Sequence, residues 1–440
     1  MARNALVDVF RIRDLRQRIL FTIGMLGIFR LGAAIPIPGI NVNALQAYFM
    51  TQQQAGGVTI EGYLDFFSGG AFTNFSIFML GIMPYISMQI IMQLLLIVFP
   101  SLKQISEEEG GRKKIQRYTR YGTVLVCLVQ SLAVTFYANT IPNAITLNPA
   151  VYRVVSMLTV TTGTMFLVWI GEQISKRGIG NGISLLIFAG IVARMPGAIW
   201  TLFQEVQLGD LNPVFVIIVF GIFIVVTALV IYEQQGQRKI PVHYAKRVVG
   251  RKMYGAQNTY VPFKINPSGV IPVIFASSVI FFPLQIAQGF GGGMRWLAQF
   301  ANWLQPPGAP YVILYSGLII FFAYFYTQVT LNPLEISKNI REHGGSIPGI
   351  RSEKMEEYFT RILNRIILPG AIFLAFIALI PELVQALFGF PQEVAFLMGG
   401  TSLLIIVGVD LDLMSQIEGQ LRMHHHEGLT RKGRIKSRNL

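Results

Sequence analysis

The sequence predicts an all-α polytopic membrane protein with ten transmembrane helices in two inverted, pseudo-symmetric halves of five. Three observations predict it. Of the 440 residues, 52% are hydrophobic and only 13% charged, a balance outside the soluble globular range. Ten runs come close to the ~20 apolar residues that a helix needs to cross a ~30 Å hydrocarbon core. A motif also recurs five runs apart: GIMPYI (81–86) and GVIPVI (269–274) both fit G-[IV]-[MI]-P-x-I and open the second and seventh runs. Five is odd, so a second half with the same order inserts upside down, and such repeats place a working pathway between the halves. A match this short also arises by chance.

In chain order, residues 1–18 form a basic, amphipathic N-terminus (Arg3, Arg11, Arg13, Arg16, Arg18). The first span is 19–37. The small residues Gly32, Ala33 and Ala34 lead into IPIPG, a poor cleavage context, so the run reads as an uncleaved span rather than a signal peptide. Next comes EGYLDFFSGGAFTN (61–74), too short and too polar to cross a bilayer, with Gly69 and Gly70 as a hinge against the second span, 75–98. The third to fifth spans are 119–138, 153–172 and 182–203, the fifth interrupted by Arg194, Pro196 and Gly197. The first half is therefore 19–203 and the second 204–414, with spans at 213–233, 268–288, 311–330, 364–384 and 394–414. The tenth carries Gly399, Gly400 and Asp410, and a tail, 415–440, follows.

Lys and Arg test the count. Of the 36, all but Arg30, Arg153, Arg194 and Arg295 lie in segments that ten spans place on one side. The positive-inside rule makes that side cytoplasmic, with both termini inside. The net charge of +14 is mostly this asymmetry. Arg30, within the first span, would cost ~2.5–3.5 kcal/mol at mid-helix and is read as lying toward the outer interface. The basic loop 234–267 interleaves aromatic and β-branched residues and reads as a hairpin projecting into the cytosol. With loop 331–361 it forms the expected docking surface, since partners usually bind loops on a rigid scaffold.

Enzyme chemistry finds no support in the sequence. There is no Walker-type phosphate loop, nucleophile elbow or paired-histidine zinc motif. GEQISKRGIGNGIS (171–184) joins two spans and reads as a tight turn. The histidines 424–426 read as a solvated tail without a second ligand set, and His243 and His343 are isolated. The single cysteine, Cys127, excludes an internal disulfide. No cofactor or metal is expected. Polar residues in the spans, such as Gln89, Gln93, Gln130, Thr159 and Gln328, serve as helix-packing glue or make one face mildly wet. Ile82 and Ile86 share a helix face, as do Ile183 and Ile187. Each alone reads as core or lipid contact, and several together at an axis would make an apolar constriction that gates by dewetting.

FRLGAAIPIPGI, FFSGGAFTNFSIFMLGIMPYIS, RYTRYG, GEQISKRGIGNGISLLIFAGI, NPSGVIPVIFASS, IPGIR and GGTSLLI resemble the SecY/Sec61-alpha family of protein-conducting channels, from the first span to the tenth. The HHHEGLTRKGR tail resembles those of members from thermophilic bacteria. The resemblance implies two five-span halves around a central hourglass pore, in the bacterial plasma membrane. It implies a pore ring of Ile82, Ile86, Ile183, Ile187, Ile274 and Ile405. A plug is implied at about 61–74, with Tyr63, Phe66, Phe67, Ser68, Gly69 and Gly70 as plug and hinge. A lateral gate for signal sequences is implied around Pro84, Ser87, Gln93, Asn181 and Pro272. Arg247, Arg251, Lys252 and Arg351 become docking residues. The implied partners are SecE and SecG, the motor ATPase SecA, the ribosome with its rRNA, signal peptides, nascent chains and the lipid bilayer. The implied function is passive passage of unfolded polypeptides, with apolar segments released sideways into lipid. A ten-span secondary transporter and a pore-less insertase or scaffold are the rival readings.

Overall fold

The computed structural model describes residues 12–54, 65, 68–209, 211–244, 247–249, 252–254, 258–290, 299, 303–304, 308–390, 392–397 and 399–432. Met1–Trp200, Leu284–Ala298 and Ile405–Leu440 group into one compact unit, and Thr201–Pro283 with Gln299–Leu404 into a second.

The first unit opens with α1 (Arg13–Ala34). Pro36 ends it, because a residue before proline disfavours the helical well; Ile35 is extended at φ −85°, ψ 114°. A short helix, α2 (Val42–Gln54), follows. Helices α3 (Met83–Val98), α4 (Pro100–Glu107), α5 (Gly111–Thr140), α6 (Pro149–Arg177) and α7 (Gly182–Leu208) complete the run. The last helix of the chain, Gly400–Lys432, is uninterrupted and carries its second part into this unit. There Leu413, Ile417 and Leu421 pack with Ile12, Leu15, Ile19 and Ile179.

Leu-Asn-Pro begins three helices: α6, α8 (Pro213–Gln235) and the helix Pro333–Glu342. In each the Asn side chain accepts from the backbone N–H two residues on, and Pro takes a first-turn position where no N–H is missed.

Small residues let helices and turns of the first unit approach closely. A Cβ on Gly182 would lie 1.9 Å from the Gly171 carbonyl oxygen, and one on Gly163 would lie 2.0 Å from that of Ile77. Polar contacts pin α5 to α6: Arg120 donates to both carboxylate oxygens of Glu172, at 2.6 Å each, and Thr135 reaches the Ser156 hydroxyl at 3.4 Å. Such pairs suit a lipid setting, where an unpaired charge is costly.

In the second unit, loop 234–267 is the expected hairpin. Strand β1 (Gln237–Tyr244) pairs antiparallel with Asn258–Lys264 in register Gln237↔Lys264 to His243↔Asn258. A smaller pair, Arg247–Val249 with Lys252–Tyr254, lies between them in sequence. The sequence did not predict that β1 also pairs with Gly345–Ser346 from loop 331–361, through His243↔Ser346 and Tyr244↔Gly345. Ile240, Val242, Phe263, Ile340, Ile347 and Phe359 form one buried cluster with the start of the helix Met355–Phe388. The two loops are therefore one packed body.

Among the described residues, eight helices are long and apolar enough to cross a membrane, or nine if α3 and α4, bent by 103°, count as one. The remaining expected span, the seventh, is the helix Ile271–Phe290 with Pro283 inside it. Its apolar stretch, Ile271–Phe281, is shorter than the others.

The two echoing motifs share a backbone. Gly81 sits at φ +57° and Gly269 at φ +58°. Each is followed two residues later by the first residue of a helix, Met83 or Ile271, with Pro84 or Pro272 next. The expected second span, 75–98, is corrected here: its helix starts at Met83, and residues 71–75 and 77–82 are turns. Gly81 in the left-handed region breaks the chain ahead of the helix, and Pro84 favours a first-turn place over the interior.

Candidate functional site

The turns ahead of α3 are built from backbone contacts. Pro36 and Pro38 keep IPIPGI out of a helix and leave its peptide groups free to bond sideways. The Ile37 amide donates to the Phe75 carbonyl at 2.8 Å, and the Ile77 amide donates to the Ile35 carbonyl at 3.0 Å. On its other side the strap meets Ala144 and Thr146. Phe75, at φ +43°, is fully buried with Phe72, Phe78 and Met79. Phe78 stacks on Phe29 of α1 with ring centroids 6.2 Å apart.

Upstream of this, Asp65, Ser68, Gly69 and Gly70 are all buried. Asp65 organises them. Its Oδ1 accepts from the Thr73 amide at 2.7 Å and the Thr73 hydroxyl at 2.9 Å, and its carbonyl accepts from the Gly70 amide at 3.0 Å. The Ser68 hydroxyl donates to the Asp65 carbonyl and accepts from the Phe72 amide. Gly69 and Gly70 take φ of +68° and +91°, which L side chains rarely adopt. A Cβ on Gly69 would stand 2.7 Å from Gly190 Cα of α7. Two arginines fasten the segment to the helices. Arg30 Nη1 of α1 donates to the Gly69 carbonyl at 2.7 Å, and Arg194 of α7 forms an ion pair with the Asp65 carboxylate.

The expected site residues divide as follows. Ile82 and Ile187 line one cavity of about 20 Å³ together with Ser68 and Phe29. A gap of that size holds about one water. Ile86 and Ile405 are buried and Ile274 is half-buried in the second unit. Ile183 lies against Gly171 of α6. Tyr63, Phe66 and Phe67 lie outside the described residues. Pro84, Ser87 and Pro272 are buried, and Gln93 Oε1 is buried with no hydrogen-bond partner among the described residues. Asn181 is exposed and caps α7, its Oδ1 accepting from the Ile183 amide at 3.1 Å. Arg351 is exposed beside the buried Ile347 and the partly buried Ile350, which packs on the same cluster, so IPGIR is held from beneath while its arginine faces out. Arg247 and Lys252 sit on the small strand pair, and Arg251 lies outside the described residues. Among the described residues no cluster of His, Cys, Asp or Glu could hold a metal.

Sequence reasoning missed Asp65 and Arg194 as site residues. The available signal was that two of the four basic residues outside the segments expected to be cytoplasmic, Arg30 and Arg194, interrupt apolar spans while an acid sits in the short segment between them.

Comparison with known proteins adds the following. The profile of the SecY family matches residues 76–414. Protein translocase subunit SecY of Borreliella burgdorferi is 49% identical over 422 residues, covering 96% of each chain. Its namesake in Escherichia coli K12 is 44% identical over 430 residues, covering 96% of this chain and 95% of that one. Two solved structures share the fold at 20% identity, each covering 96% of this chain and 95% of the other. One concerns the plug domain of the SecY protein, which stabilises the closed state of its translocation channel, at a TM-score of 0.66. The other is Sec61 in the canine ribosome-channel complex, at 0.64.

Proposed function

The chain belongs to the SecY family, and from that membership we propose that it is the pore-forming subunit of a protein translocase, with 61–74 as a stopper seated on an isoleucine constriction. It is a multi-pass membrane protein of the transporting, not the catalytic, kind. The observation that carries the mechanism is the shared cavity of Ser68, Ile82 and Ile187. A segment with two left-handed glycines is laid against apolar side chains with room for about one water. Apolar walls that exclude water block ions by dewetting and offer a sliding chain no strong partner. In the same reading Ile86, Ile183, Ile274 and Ile405 complete the ring. Pro84, Ser87, Gln93, Asn181 and Pro272 belong to a lateral gate through which apolar segments pass into lipid.

The driving energy comes from a partner. The packed cytoplasmic body presents Arg351 outward, and Lys239 lies over Tyr260 at 4.9 Å. Exposed cations on a rigid sheet suit the phosphates of rRNA and the acidic surface of a motor alike. We assign this face, with Arg247, Arg251 and Lys252, to the ribosome and to SecA. SecE and SecG complete the complex, with both termini of this chain in the cytoplasm.

Deleting 61–74 tests the function. Single-channel recordings on the reconstituted complex are expected to show ion conductance at rest. A silent membrane would favour a scaffold, and saturable small-molecule uptake would favour a transporter. The docking assignment is tested by Arg351→Glu. Motor-driven export is expected to fall about tenfold or more, because reversing one charge of a close interfacial pair costs at least ~1.4 kcal/mol, while assembly stays normal. Normal export sinks that assignment.

A further inference from the structure

We propose that Arg194 and Arg30 are positioning residues that latch the stopper shut, Arg194 through the Asp65 carboxylate and Arg30 through the Gly69 carbonyl. This rests on reading 61–74 as a stopper.

The contacts of Asp65 fall into two classes. Those to Thr73 and Gly70 lie within the segment and would travel with it if it moved. The ion pair to Arg194 and the hydrogen bond from Arg30 to Gly69 tie it to the helices α7 and α1. These polar contacts would break when the segment swings away. The ion pair is the drier of the two, since Arg30 itself is exposed. The Asp65 side chain is 2% exposed and that of Arg194 26%. A second hydrogen bond, from Arg194 Nη2 to the Thr73 hydroxyl at 3.5 Å, shares the same guanidinium. Arginine suits this task, because its planar fork donates to several acceptors at once and never loses its proton.

The two cations also sit in apolar helices, where each is costly alone. Docking the segment answers both costs together, since its carboxylate and an outward-facing carbonyl reach one arginine each. Gly69 makes this possible. Its positive φ turns its carbonyl toward Arg30, and its missing Cβ lets the chain come within reach of Gly190. Opening therefore requires water or another acceptor to take over two guanidinium groups. The latch sets a threshold that a passing chain must overcome, separate from the apolar seal of Ile82 and Ile187.

The test uses the full chain reconstituted with its partner subunits, with Cys127→Ala and Ser68→Cys as the background. A membrane-impermeant maleimide added from outside reads how often the segment leaves its seat. Asp65→Asn and Arg194→Gln are each expected to raise the labelling rate about tenfold or more, because removing one partner of a buried pair strands the other. The double variant is expected to label no faster than the faster single one, as residues acting through each other are non-additive. Arg30→Gln is expected to raise labelling as well, and since it leaves the ion pair untouched it separates latch release from misfolding at Asp65. Labelling at the parental rate in both Asp65→Asn and Arg194→Gln overturns the latch, as does a double variant whose effect is the product of the singles. The stopper reading fails separately, if deleting 61–74 leaves the membrane silent to ions; the labelling results stand whichever way that recording falls.

Discussion

Replacing Gly69 with valine is expected to leave the channel leaking ions at rest. Two independent penalties meet at this residue. Its φ of +68° lies in the left-handed region, which costs a side-chain-bearing residue about 1–2 kcal/mol, more when it is β-branched. A Cβ there would also stand 2.7 Å from Gly190 Cα and 3.0 Å from the Gly190 carbonyl oxygen. These are backbone atoms of a helix and cannot rotate aside, so overpacking adds about 1–3 kcal/mol. The cheapest relief is for the segment to leave its seat, carrying Ser68 away from Ile82 and Ile187. Ion efflux from proteoliposomes should therefore rise toward the level of the 61–74 deletion. Gly197→Ala supplies the control, because a Cβ at Gly197 in the same helix meets nothing within 4 Å. Efflux from Gly69→Val no greater than from Gly197→Ala would show that the segment does not seal the path.

How far this arrangement could be read from residues differs from element to element. The spans declared themselves through length and the clustering of Lys and Arg, since lipid leaves backbone few ways to pair its polar groups. The GIMPYI and GVIPVI echo was visible, and the backbone adds what it encodes locally: a left-handed glycine two residues before a helix with proline in its first turn. The start of the second span was misread because hydropathy counts apolar side chains and says nothing of the backbone beneath them. Phe75, Phe78 and Met79 are as apolar as any span, yet they fold as turns strapped to IPIPGI. The pairing of β1 with Gly345–Ser346 joins positions about 100 residues apart through a two-residue strand, too short for any alternation to announce. Asp65 and Arg194 were each legible as an anomaly, an acid beside apolar spans and a cation inside one. Their pairing spans 129 positions of chain and needed coordinates.

Shortening Ile82 and Ile187 together to alanine is expected to open a second, separate leak. Both are buried, at 6% exposure each, and both line the cavity under Ser68. One Ile→Ala change leaves a pocket that neighbours partly close, at about 2–5 kcal/mol. Two on the same wall enlarge one void, so their effects should exceed the product of the singles, as residues sharing a cavity couple by about 0.5–3 kcal/mol. The gap of about 20 Å³ then becomes large enough for several waters in contact, and a hydrated constriction no longer excludes ions. Ile170→Ala is the comparison, because that side chain is fully buried on α6 and does not line this cavity. The decisive recording combines the double variant with the 61–74 deletion. If the isoleucines form a seal of their own, conductance in the combination should exceed that of the deletion alone. If they serve only as a seat for the stopper, removing the stopper removes their purpose, and the combination should conduct no better than the deletion. An apolar wall that shares its cavity with Ser68, while the segment itself is tied by two arginines, fits the first outcome: holding is assigned to charge, and excluding water to the isoleucines.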